Sequence, residues 1–503
     1  MSPKKTQDKD RISLAGWMVV LTSAYCTALY GSAITVAGAV LPQIQGDLSA
    51  SLDQISWIVT ASIVAGAIGS PPTPWLAARF GIKPLMVGCV VGVTISSALI
   101  GTAGTLGEMI VWRICQAILS APIIALTQTM VLATFPLSRR GLGLSIWTIG
   151  ITGGWVLGPS LGTLLVEWGS WRVAFLAFGP LGLVGVVLCV AFLPPSAKND
   201  KLEFDWFGFT TLAIALASIQ FVLNRGQRLD WYDSSEIMIA TVSATVGIYL
   251  FVIHSISTHK PFLNWAVFRD RNLVVGMLLL MAYAYISLAP LILIPTMLQN
   301  LRGFELLTIG LLLIPRGLAQ IATTILIGPL IDRVDLRILI GLGLIGFAFG
   351  SWLMAGFNLE IGVGHLLVPT IIQGISMALI AVPTLSISYA TLAPELRTDG
   401  ATIVGLGYTL ASSMGVAISI VVLTRTSQTN RAEFAAHITP GNELLRFPEY
   451  ASAWDLDVLA NMAAIQGEIN QQAAMVAYVN VYWMIALLCV GTLPLLLLVG
   501  KKT

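Results

Sequence analysis

The sequence predicts an all-α protein that crosses a membrane many times. Of its 503 residues, 56% are hydrophobic and only 10% are charged, and the mean hydropathy is +0.85. A soluble domain typically has about a quarter charged residues, so an aqueous fold could not hide this much apolar surface. The apolar residues are gathered into stretches of roughly 20, which is the length that an α-helix needs to cross a bilayer.

Twelve to fourteen such stretches can be counted, and we interpret the chain as having fourteen spans. The first follows a charged start, MSPKKTQDKDR, and its apolar run reaches Pro42. This run is too long for the apolar core of a cleaved secretory signal, so we interpret it as an uncleaved span. The stretches begin near residues 14, 54, 84, 109, 141, 173, 206, 237, 273, 307, 338, 365, 401 and 478.

Basic residues in the loops predict the orientation of the chain. If the loops are assigned alternately to two sides, 18 of the 27 Lys and Arg residues fall on one side and 7 on the other, with Arg113 and Arg316 inside spans. Cytoplasmic loops are enriched in Lys and Arg, so the side with 18 is predicted to be cytoplasmic. An even number of spans then places both termini on that side.

Two arginines lie inside the predicted spans, whereas none of the 25 acidic residues lies well inside one. Arg113 is about five residues into the fourth span, where it could either reach the headgroups as an anchor or belong to a site. Arg316 is about ten residues into the tenth span, where burying its charge costs about 3 to over 10 kcal/mol. We expect Arg316 to face a wet cavity or to be held by carbonyl groups that Pro315 and Gly317 make accessible; a structural role between helices is the alternative.

The long loop of residues 425–477 is predicted to be external and to contain a helix. Apolar residues at three-to-four spacing favour a helix with one apolar face over 454–475; a disordered connector is the alternative. Loops of this length are usually functional, and an apolar face outside the membrane needs a cover. We therefore predict a docking surface formed by Leu456, Leu459, Met462 and Ile465.

A weak internal repeat connects the two halves of the chain. PWLAARFGIK (74–83) follows the second span, and GPLIDRVDLR (328–337) follows the tenth. Each is predicted to be a tight cytoplasmic turn, where a basic residue can contact carbonyl groups at a helix C-terminus or pair with an acid of the other half. Duplicated halves are typical of transporters that work by alternating access. The matching pairs are Leu76 and Leu330, Arg79 and Arg333, and Lys83 and Arg337.

Three motifs resemble those of the major facilitator superfamily. The turn at 328–337 resembles motif A, G-x-L-x-D-R, and its first-half copy has Pro74 and Ala78 in place of the Gly and the Asp. WRICQA (112–117) resembles motif B, and GITGGWVLGPSLGT (150–163) resembles motif C, the antiporter signature G-x-x-x-G-P-x-x-G. The matching residues are Gly328, Leu330, Asp332 and Arg333 in motif A; Leu76, Arg79, Gly81 and Lys83 in its copy; Arg113 and Gln116 in motif B; and Gly154, Gly158, Pro159 and Gly162 in motif C.

The resemblance extends over nearly the whole chain and is greatest to fourteen-span drug:proton antiporters of the EmrB/QacA type, above all to EmrB-type pumps. It implies the major facilitator fold, with two six-helix bundles and two extra helices, and drug efflux driven by a proton gradient without a cofactor or a metal. It also implies a bacterial inner membrane, a periplasmic adaptor of the EmrA type and an outer-membrane channel. The expected segments are a cytoplasmic tail (1–13), the N-terminal bundle (14–193), two linker spans (194–257), five helices of the C-terminal bundle (258–424), the external loop (425–477), and the last span with a short tail (478–503).

Motif C also has a physical meaning of its own. Glycines four residues apart let two helix backbones approach closely, and Pro159 removes a backbone hydrogen bond and bends the helix. The motif therefore predicts a pliable, tightly packed fifth helix that could seal one side of a cavity; ordinary packing between membrane helices is the alternative.

One departure from the family pattern concerns proton coupling. EmrB-type pumps commonly have an Asp in the first span, and the corresponding stretch YGSAITVAGAVLP has Ala33 at that position. Coupling could instead use Glu108 or Glu167 at span ends, or another gradient, or be absent. His254 and His365 could titrate near neutral pH, although a lone interfacial histidine is usually structural.

Two embedded cations without an embedded acid predict amphipathic substrates that are anionic or neutral, such as acidic phenols, fatty acids, lipids or siderophores. Arg316 is the main candidate for substrate contact, with Arg113 and Gln116 as further substrate or coupling residues. An importer or lipid translocator is the alternative, because a fold does not fix substrate or direction. An enzyme is not predicted, since the chain has no embedded Ser/His/Asp set, HExxH, Cys/His cluster or phosphate loop, and a nucleic-acid partner is not expected.

Overall fold

The computed structural model shows an all-helical protein and describes residues 12–136, 139–167, 169–196, 198–199, 202–258, 261–331, 333–438 and 459–500. Asp332 of motif A and Leu456 of the predicted docking surface lie outside the described residues, and the side chains of Leu459 and Glu167 are not described either. Within the described ranges the regular structure consists of helices, without strands, as the sequence predicts.

Sixteen α-helices form the described part of the chain. Thirteen helical segments are long and apolar enough to cross a membrane, and the pair α2 and α3, bent by 55° at a short break, makes a fourteenth. The α-helices are α1 Leu14–Asp47, α2 Leu52–Gly69, α3 Thr73–Phe80, α4 Ile82–Thr102, α5 Leu106–Thr134, α6 Arg140–Glu167, α7 Trp171–Leu176, α8 Phe178–Phe192, α9 Trp206–Arg225, α10 Ser235–Ser257, α11 Arg271–Arg302, α12 Leu306–Ile327, α13 Leu336–Met354, α14 Val363–Ser388, α15 Arg397–His437 and α16 Leu459–Thr492.

Helix packing follows the two halves of the chain. In the first half, α1 packs along α6, and α5 packs against both α2 and α4. In the second half, α11 packs against α15, α13 and α12 pack against α14, and α15 packs along α16. The halves meet where α12 and α14 pack on α6 and where α15 packs on α5. We call the end of the molecule with the turns 74–83 and 328–337 the basic end, because it is the end to which most Lys and Arg residues are assigned.

The two extra helices, α9 and α10, pack on each other, and α9 packs on α2. The Arg225 guanidinium lies over the Trp57 ring, 4.7 Å from its centroid, and donates to the Ser56 hydroxyl at 2.8 Å. At the basic end, His254 Nε2 lies 2.8 Å from Asp205 Oδ1, which ties the end of α10 to the start of α9. These contacts therefore fasten α9 to α2 at one end and to α10 at the other.

The connection between α8 and α9 also contacts the first-half turn at 74–83. The Trp75 indole N–H donates to the Glu203 carbonyl at 3.1 Å, and the Asn199 backbone N–H donates to the Ala78 carbonyl at 2.8 Å. Ala78 is the position where the family pattern has an Asp. One side-chain and one main-chain hydrogen bond therefore connect the turn to the linker.

The matched basic residues of the internal repeat make equivalent contacts. Lys83 at the start of α4 donates to the Val190 carbonyl, near the end of α8, at 2.7 Å. Arg337 at the start of α13 donates to the Val499 carbonyl, which follows α16. Both basic side chains thus contact a main-chain carbonyl at or beyond the end of a helix, which is the first of the two possibilities given for them.

Helix extends into both sides of the predicted external loop. α15 continues to His437, α16 begins at Leu459, and Asn430 Nδ2 donates to the Ala473 carbonyl at 3.4 Å between them. The helix predicted within the loop is thus confirmed from Leu459 onward. Met462 is 46% exposed, but Ile465 is only 4% exposed. The prediction that Ile465 belongs to an exposed docking face is wrong for this conformation, because the side chain is buried within the protein itself.

Candidate functional site

Arg316 lies at the middle of the 22-residue helix α12 and is 4% exposed. Its Nη2 donates to the Ser287 carbonyl of α11 at 3.0 Å and lies 3.3 Å from Met377 Sδ of α14. Its Nε and Nη1 atoms are buried and have no hydrogen-bond partner among the described residues. A carbonyl therefore holds one edge of the guanidinium, but it belongs to the neighbouring helix α11 and is not one that Pro315 or Gly317 makes accessible. The buried Nε and Nη1 groups are available to an acceptor.

Two tyrosines lie beside this guanidinium, and a series of aromatic contacts leads from one of them across the seam between the two halves. Arg316 is close enough to Tyr283 and Tyr482 for direct electrostatic interaction with their phenol groups. The Tyr283 ring centroid lies 6.3 Å from that of Tyr408, which lies 6.3 Å from that of Trp155 on α6. A cation beside aromatic faces can bind a molecule that has an acidic group and an apolar body.

The residues next to Arg316 let three helices meet closely. A Cβ at Gly317 would lie 3.2 Å from Val156 Cγ1 on α6 and closer still to its other methyl group, and a Cβ at Gly374 of α14 would lie 3.0 Å from the Arg316 carbonyl carbon. Pro315 lies inside α12 and leaves one backbone carbonyl without its helical donor. This local packing holds the arginine at the junction of the two bundles.

Arg113 forms a second buried polar cluster, within the first bundle. Its Nη1 donates to the Ala33 carbonyl of α1 at 3.0 Å and to Gln116 Oε1 at 2.5 Å. Gln116 Nε2 in turn donates to the Ser97 hydroxyl of α4 at 2.7 Å. Arg113 is 3% exposed and pairs with no acid among the described residues. Its contacts exclude the headgroup-anchor alternative, because the side chain points into the bundle.

The second bundle repeats part of this cluster. Gln373 Nε2 on α14 lies 3.3 Å from the Ser351 hydroxyl on α13, in the same relation as Gln116 to Ser97. Counting back from the two glutamines, Thr370 takes the place of Arg113. Sequence analysis missed the pair formed by Gln373 and Ser351. The available signal was a Gln followed by a small residue in both halves, at Gln116 and at Gln373.

The motif C glycines lie against α1. A Cβ at Gly154 would lie 2.9 Å from Ala28 Cα, and a Cβ at Gly158 would lie 3.0 Å from Ser32 Cα. The Ser32 hydroxyl also donates to the Gly154 carbonyl at 3.1 Å. The tight packing predicted for the fifth span is therefore present, and its partner is the first span.

Hydrogen bonds between described residues of the two bundles all lie toward the basic end. Arg397 Nη1 donates to the Leu132 carbonyl at 3.1 Å, and the Tyr389 hydroxyl donates to Gln128 Oε1 at 3.1 Å. The Thr129 and Thr398 hydroxyls are 3.4 Å apart. The structure is thus closed at the basic end.

The described motif A residues lie in or beside the two turns at the basic end. Gly81 has a φ of +89° at the turn between α3 and α4, a conformation that favours glycine. Arg79 is half-buried and Arg333 is exposed, and Leu76 is half-buried. Gly328 follows the last residue of α12, and a Cβ there would lie 3.2 Å from the Ser145 hydroxyl of α6. These positions are consistent with a role in closing the seam.

The remaining titratable candidates serve local structure. Glu108 Oε2 accepts the Gly104 N–H at 2.9 Å, at the start of α5, and His365 Nδ1 accepts the Gly362 N–H at 3.3 Å, at the start of α14. Within the described ranges, no group of three or more His, Cys, Asp or Glu residues is arranged to hold a metal ion.

An all-helical chain with up to fourteen spans in two repeated halves, and with a buried polar site at their seam, defines a membrane transporter. The sequence profile of the Major Facilitator Superfamily matches residues 23–317 and 291–438. The chain belongs to this family. It is a multi-pass membrane transporter for small molecules and not an enzyme.

Similar proteins are known at the levels of both sequence and fold. The chain is 27% identical over 475 residues to the Multidrug export protein EmrB of Escherichia coli (strain K12), covering 93% of each chain. It is 26% identical over 463 residues to the Fatty acid resistance protein FarB of Neisseria gonorrhoeae, covering 92% of this chain and 91% of FarB. The fold is similar to that of the proton:xylose symporter XylE, with a TM-score of 0.62, 15% identity and 95% of each chain covered. It is also similar to the human organic anion transporter MFSD10, with a TM-score of 0.59, 14% identity, and 94% of this chain and 99% of that chain covered.

Proposed function

We propose that the protein exports amphipathic compounds, anionic or neutral, by alternating access. The observation that carries the proposal is the buried Arg316 guanidinium at the middle of α12, with two N–H-bearing nitrogens that lack a partner among the described residues. A buried charge that lacks a counter-charge is unfavourable, so an anion entering the seam would gain from both charge and hydrogen bonding. A lipophilic cation would add a like charge and should bind poorly.

Direction and energy source are parts of the same proposal. EmrB of Escherichia coli is named as an export protein and is similar over nearly the whole chain, which supports outward transport. We infer that the basic end and both termini are cytoplasmic, that the membrane is a bacterial inner membrane, and that a proton gradient drives export without a cofactor. The closed basic end then corresponds to the state that faces away from the cytoplasm.

A tripartite assembly with a periplasmic adaptor and an outer-membrane channel completes the proposal. The long helices α15 and α16 project toward the end opposite the basic end, and Met462 is exposed there. Because Ile465 is buried, the docking surface would be narrower than the sequence predicts. Pull-down of the adaptor with Met462→Glu, compared with Ala463→Glu on the same helix, tests whether this exposed face is used.

Transport into inside-out membrane vesicles tests the substrate class. The panel contains an acidic phenol, a long-chain fatty acid and ethidium, each measured with and without a protonophore. We expect accumulation of the two acids, at least tenfold slower uptake of them by Arg316→Met, and no effect of Arg302→Met, which removes an exposed arginine at the end of α11. Strong ethidium transport that survives in Arg316→Met would contradict the proposal.

Fatty-acid or lipid export is the second candidate, and the similarity to FarB favours it. The same site would serve, because a fatty acid combines a carboxylate with an apolar chain. The vesicle panel separates the candidates: transport limited to the fatty acid would identify the narrower function, whereas transport of the phenol as well would identify a multidrug exporter. A siderophore in the same panel tests the remaining substrate class.

A further inference from the structure

A second candidate site lies at the basic end, in the seam between the two bundles. A cavity of about 490 Å³ is lined by the start of α1, including Ile12 and Ser13, by residues 132–136 at the end of α5, and by Arg140 and Arg397. Arg140 belongs to the first bundle and Arg397 to the second. The cavity thus spans the boundary that must open when the transporter changes state.

The two arginines are incompletely satisfied. Their Nε atoms are buried and have no hydrogen-bond partner among the described residues, and the two side chains are close enough to repel each other. Arg397 Nη1 donates to the Leu132 carbonyl, whereas no hydrogen bond or ion pair of the Arg140 side chain is formed within the described ranges. The closed state therefore brings two cations together across the seam.

None of the described residues lining the cavity is acidic. Asp399, two residues after Arg397, is partly buried but forms no ion pair with either arginine among the described residues. Glu395 is close enough to Arg397 to attract it, but it is exposed to solvent. Arg140 and Arg397 are also the first residues of α6 and α15, so the positive ends of two helix dipoles lie at the same place.

We propose that this cavity binds a phosphate-bearing anion, either a soluble phosphate compound or the headgroup of an anionic phospholipid, and that the bound anion stabilises the closed basic end. Guanidinium groups bind phosphate oxygens through paired N–H donors, and the Nε atoms supply such donors from both bundles. The cavity is far larger than a phosphate group alone, and its lining includes Ile12, Leu132 and Phe135. An apolar part of the same ligand can therefore be accommodated.

The anion acts on the conformational equilibrium through differential affinity. Only the closed state places both guanidinium groups around one cavity, so a ligand that contacts both favours that state. The site is separate from Arg316, and its occupancy can be measured without any transport assay. Failure of the proposed export function would leave this inference standing.

Thermal unfolding of the purified full-length protein, followed by tryptophan fluorescence, tests binding. Inorganic phosphate and pyrophosphate are titrated in detergent against sodium chloride at matched ionic strength. In a second arm, nanodiscs of phosphatidylglycerol are compared with nanodiscs of phosphatidylcholine. We expect a saturating ligand to raise the midpoint temperature of unfolding of the wild-type protein by about 2 °C or more. Arg140→Gln and Arg397→Gln should abolish the shift, and Arg139→Gln, an exposed neighbour outside the cavity, should retain it.

Spin labels at Pro84→Cys and Ala393→Cys, both exposed at the basic end and on opposite bundles, report closure in a cysteine-free background. The effective ligand should increase the short-distance population, and Arg140→Gln should remove that increase. A shift with phosphate identifies a soluble ligand, and a shift confined to phosphatidylglycerol identifies a lipid. The proposal is overturned if wild type shows no shift in either arm, or if both glutamine variants keep the shift.

Discussion

The Arg113 guanidinium donates a 3.0 Å hydrogen bond to the backbone carbonyl of Ala33, the position where EmrB-type pumps commonly have an aspartate. The positive charge of Arg113 is thus stabilised by a carbonyl dipole and the Gln116 amide oxygen, in a place where a carboxylate could neutralise it. Arg316 has the same kind of contact in the second bundle, with the Ser287 carbonyl. Each half of this transporter therefore has a buried arginine bound to the first helix of its own bundle.

Introducing the missing acid should create an ion pair. In Ala33→Asp the new carboxylate lies on the residue whose carbonyl already contacts Arg113. We therefore expect the change in the free energy of unfolding caused by this substitution to depend on whether Arg113 is present. Thermal unfolding of Ala33→Asp, Arg113→Gln and the double variant should give a favourable coupling of about 1–3 kcal/mol. Ala125→Asp serves as the control, because this equally buried residue is 12 positions further along α5, roughly 18 Å from Arg113. Additive effects in the Ala33 cycle would show that the two side chains do not meet.

Loss of the Gln116 side chain should cost more than loss of its counterpart in the second bundle. Gln116→Leu removes an acceptor from a buried charge and a donor from Ser97, whereas Gln373→Leu removes contacts with the Ser351 hydroxyl and the Met354 sulfur. An unsatisfied buried polar group costs about 1–3 kcal/mol, and more if it is charged. We expect a lower unfolding midpoint for Gln116→Leu than for Gln373→Leu. Equal midpoints would indicate that Gln116 does not stabilise the Arg113 charge.

The contact between α1 and α6 should tolerate no added methyl group at Gly154. A Cβ there would collide with the backbone of Ala28, whereas a Cβ at Gly153 would meet nothing within 4 Å. Overpacking of this kind costs about 1–3 kcal/mol. We expect Gly154→Ala to lower the unfolding midpoint and to slow transport, while Gly153→Ala behaves as wild type. The prediction fails if the two variants are indistinguishable in both measurements.

The fold could be predicted from the sequence because the main signals are local. Apolar stretches of bilayer length identify the spans, and motif C predicts close helix packing through glycines at fixed spacing. The repeat at 74–83 and 328–337 even identified Lys83 and Arg337, which both contact carbonyl groups at helix ends. Each of these inferences needs only a short segment and the physics of a helix in lipid.

The composition of the site could not be predicted in the same way. Tyr283 and Tyr482 lie beside Arg316, and Tyr408 and Trp155 continue the aromatic contacts from Tyr283 toward the first bundle. Nothing in the local sequence of these four residues distinguishes them from lipid-facing aromatics. The cavity between Arg140 and Arg397 depends on a contact between residues 257 positions apart. Burial of Ile465 likewise depends on packing between helices, which the apolar periodicity of its own segment does not reveal.

Closure of the basic end should depend on the hydrogen bond from Tyr389 to Gln128. This bond joins the residue that follows α14 to α5 across the seam, so Tyr389→Phe should weaken the closed state without disturbing either bundle. Hydrogen bonds between membrane helices contribute about 0.6 kcal/mol on average, which corresponds to a roughly threefold change in the ratio of open to closed states. The distance distribution between spin labels at Pro84→Cys and Ala393→Cys, two exposed positions on opposite bundles, measures that ratio. Tyr25→Phe is the matched control, because the Tyr25 hydroxyl donates to the Leu181 carbonyl within the first bundle. If this control changes the ratio of open to closed states by the same factor, the Tyr389 hydroxyl acts through general stability and not through the seam.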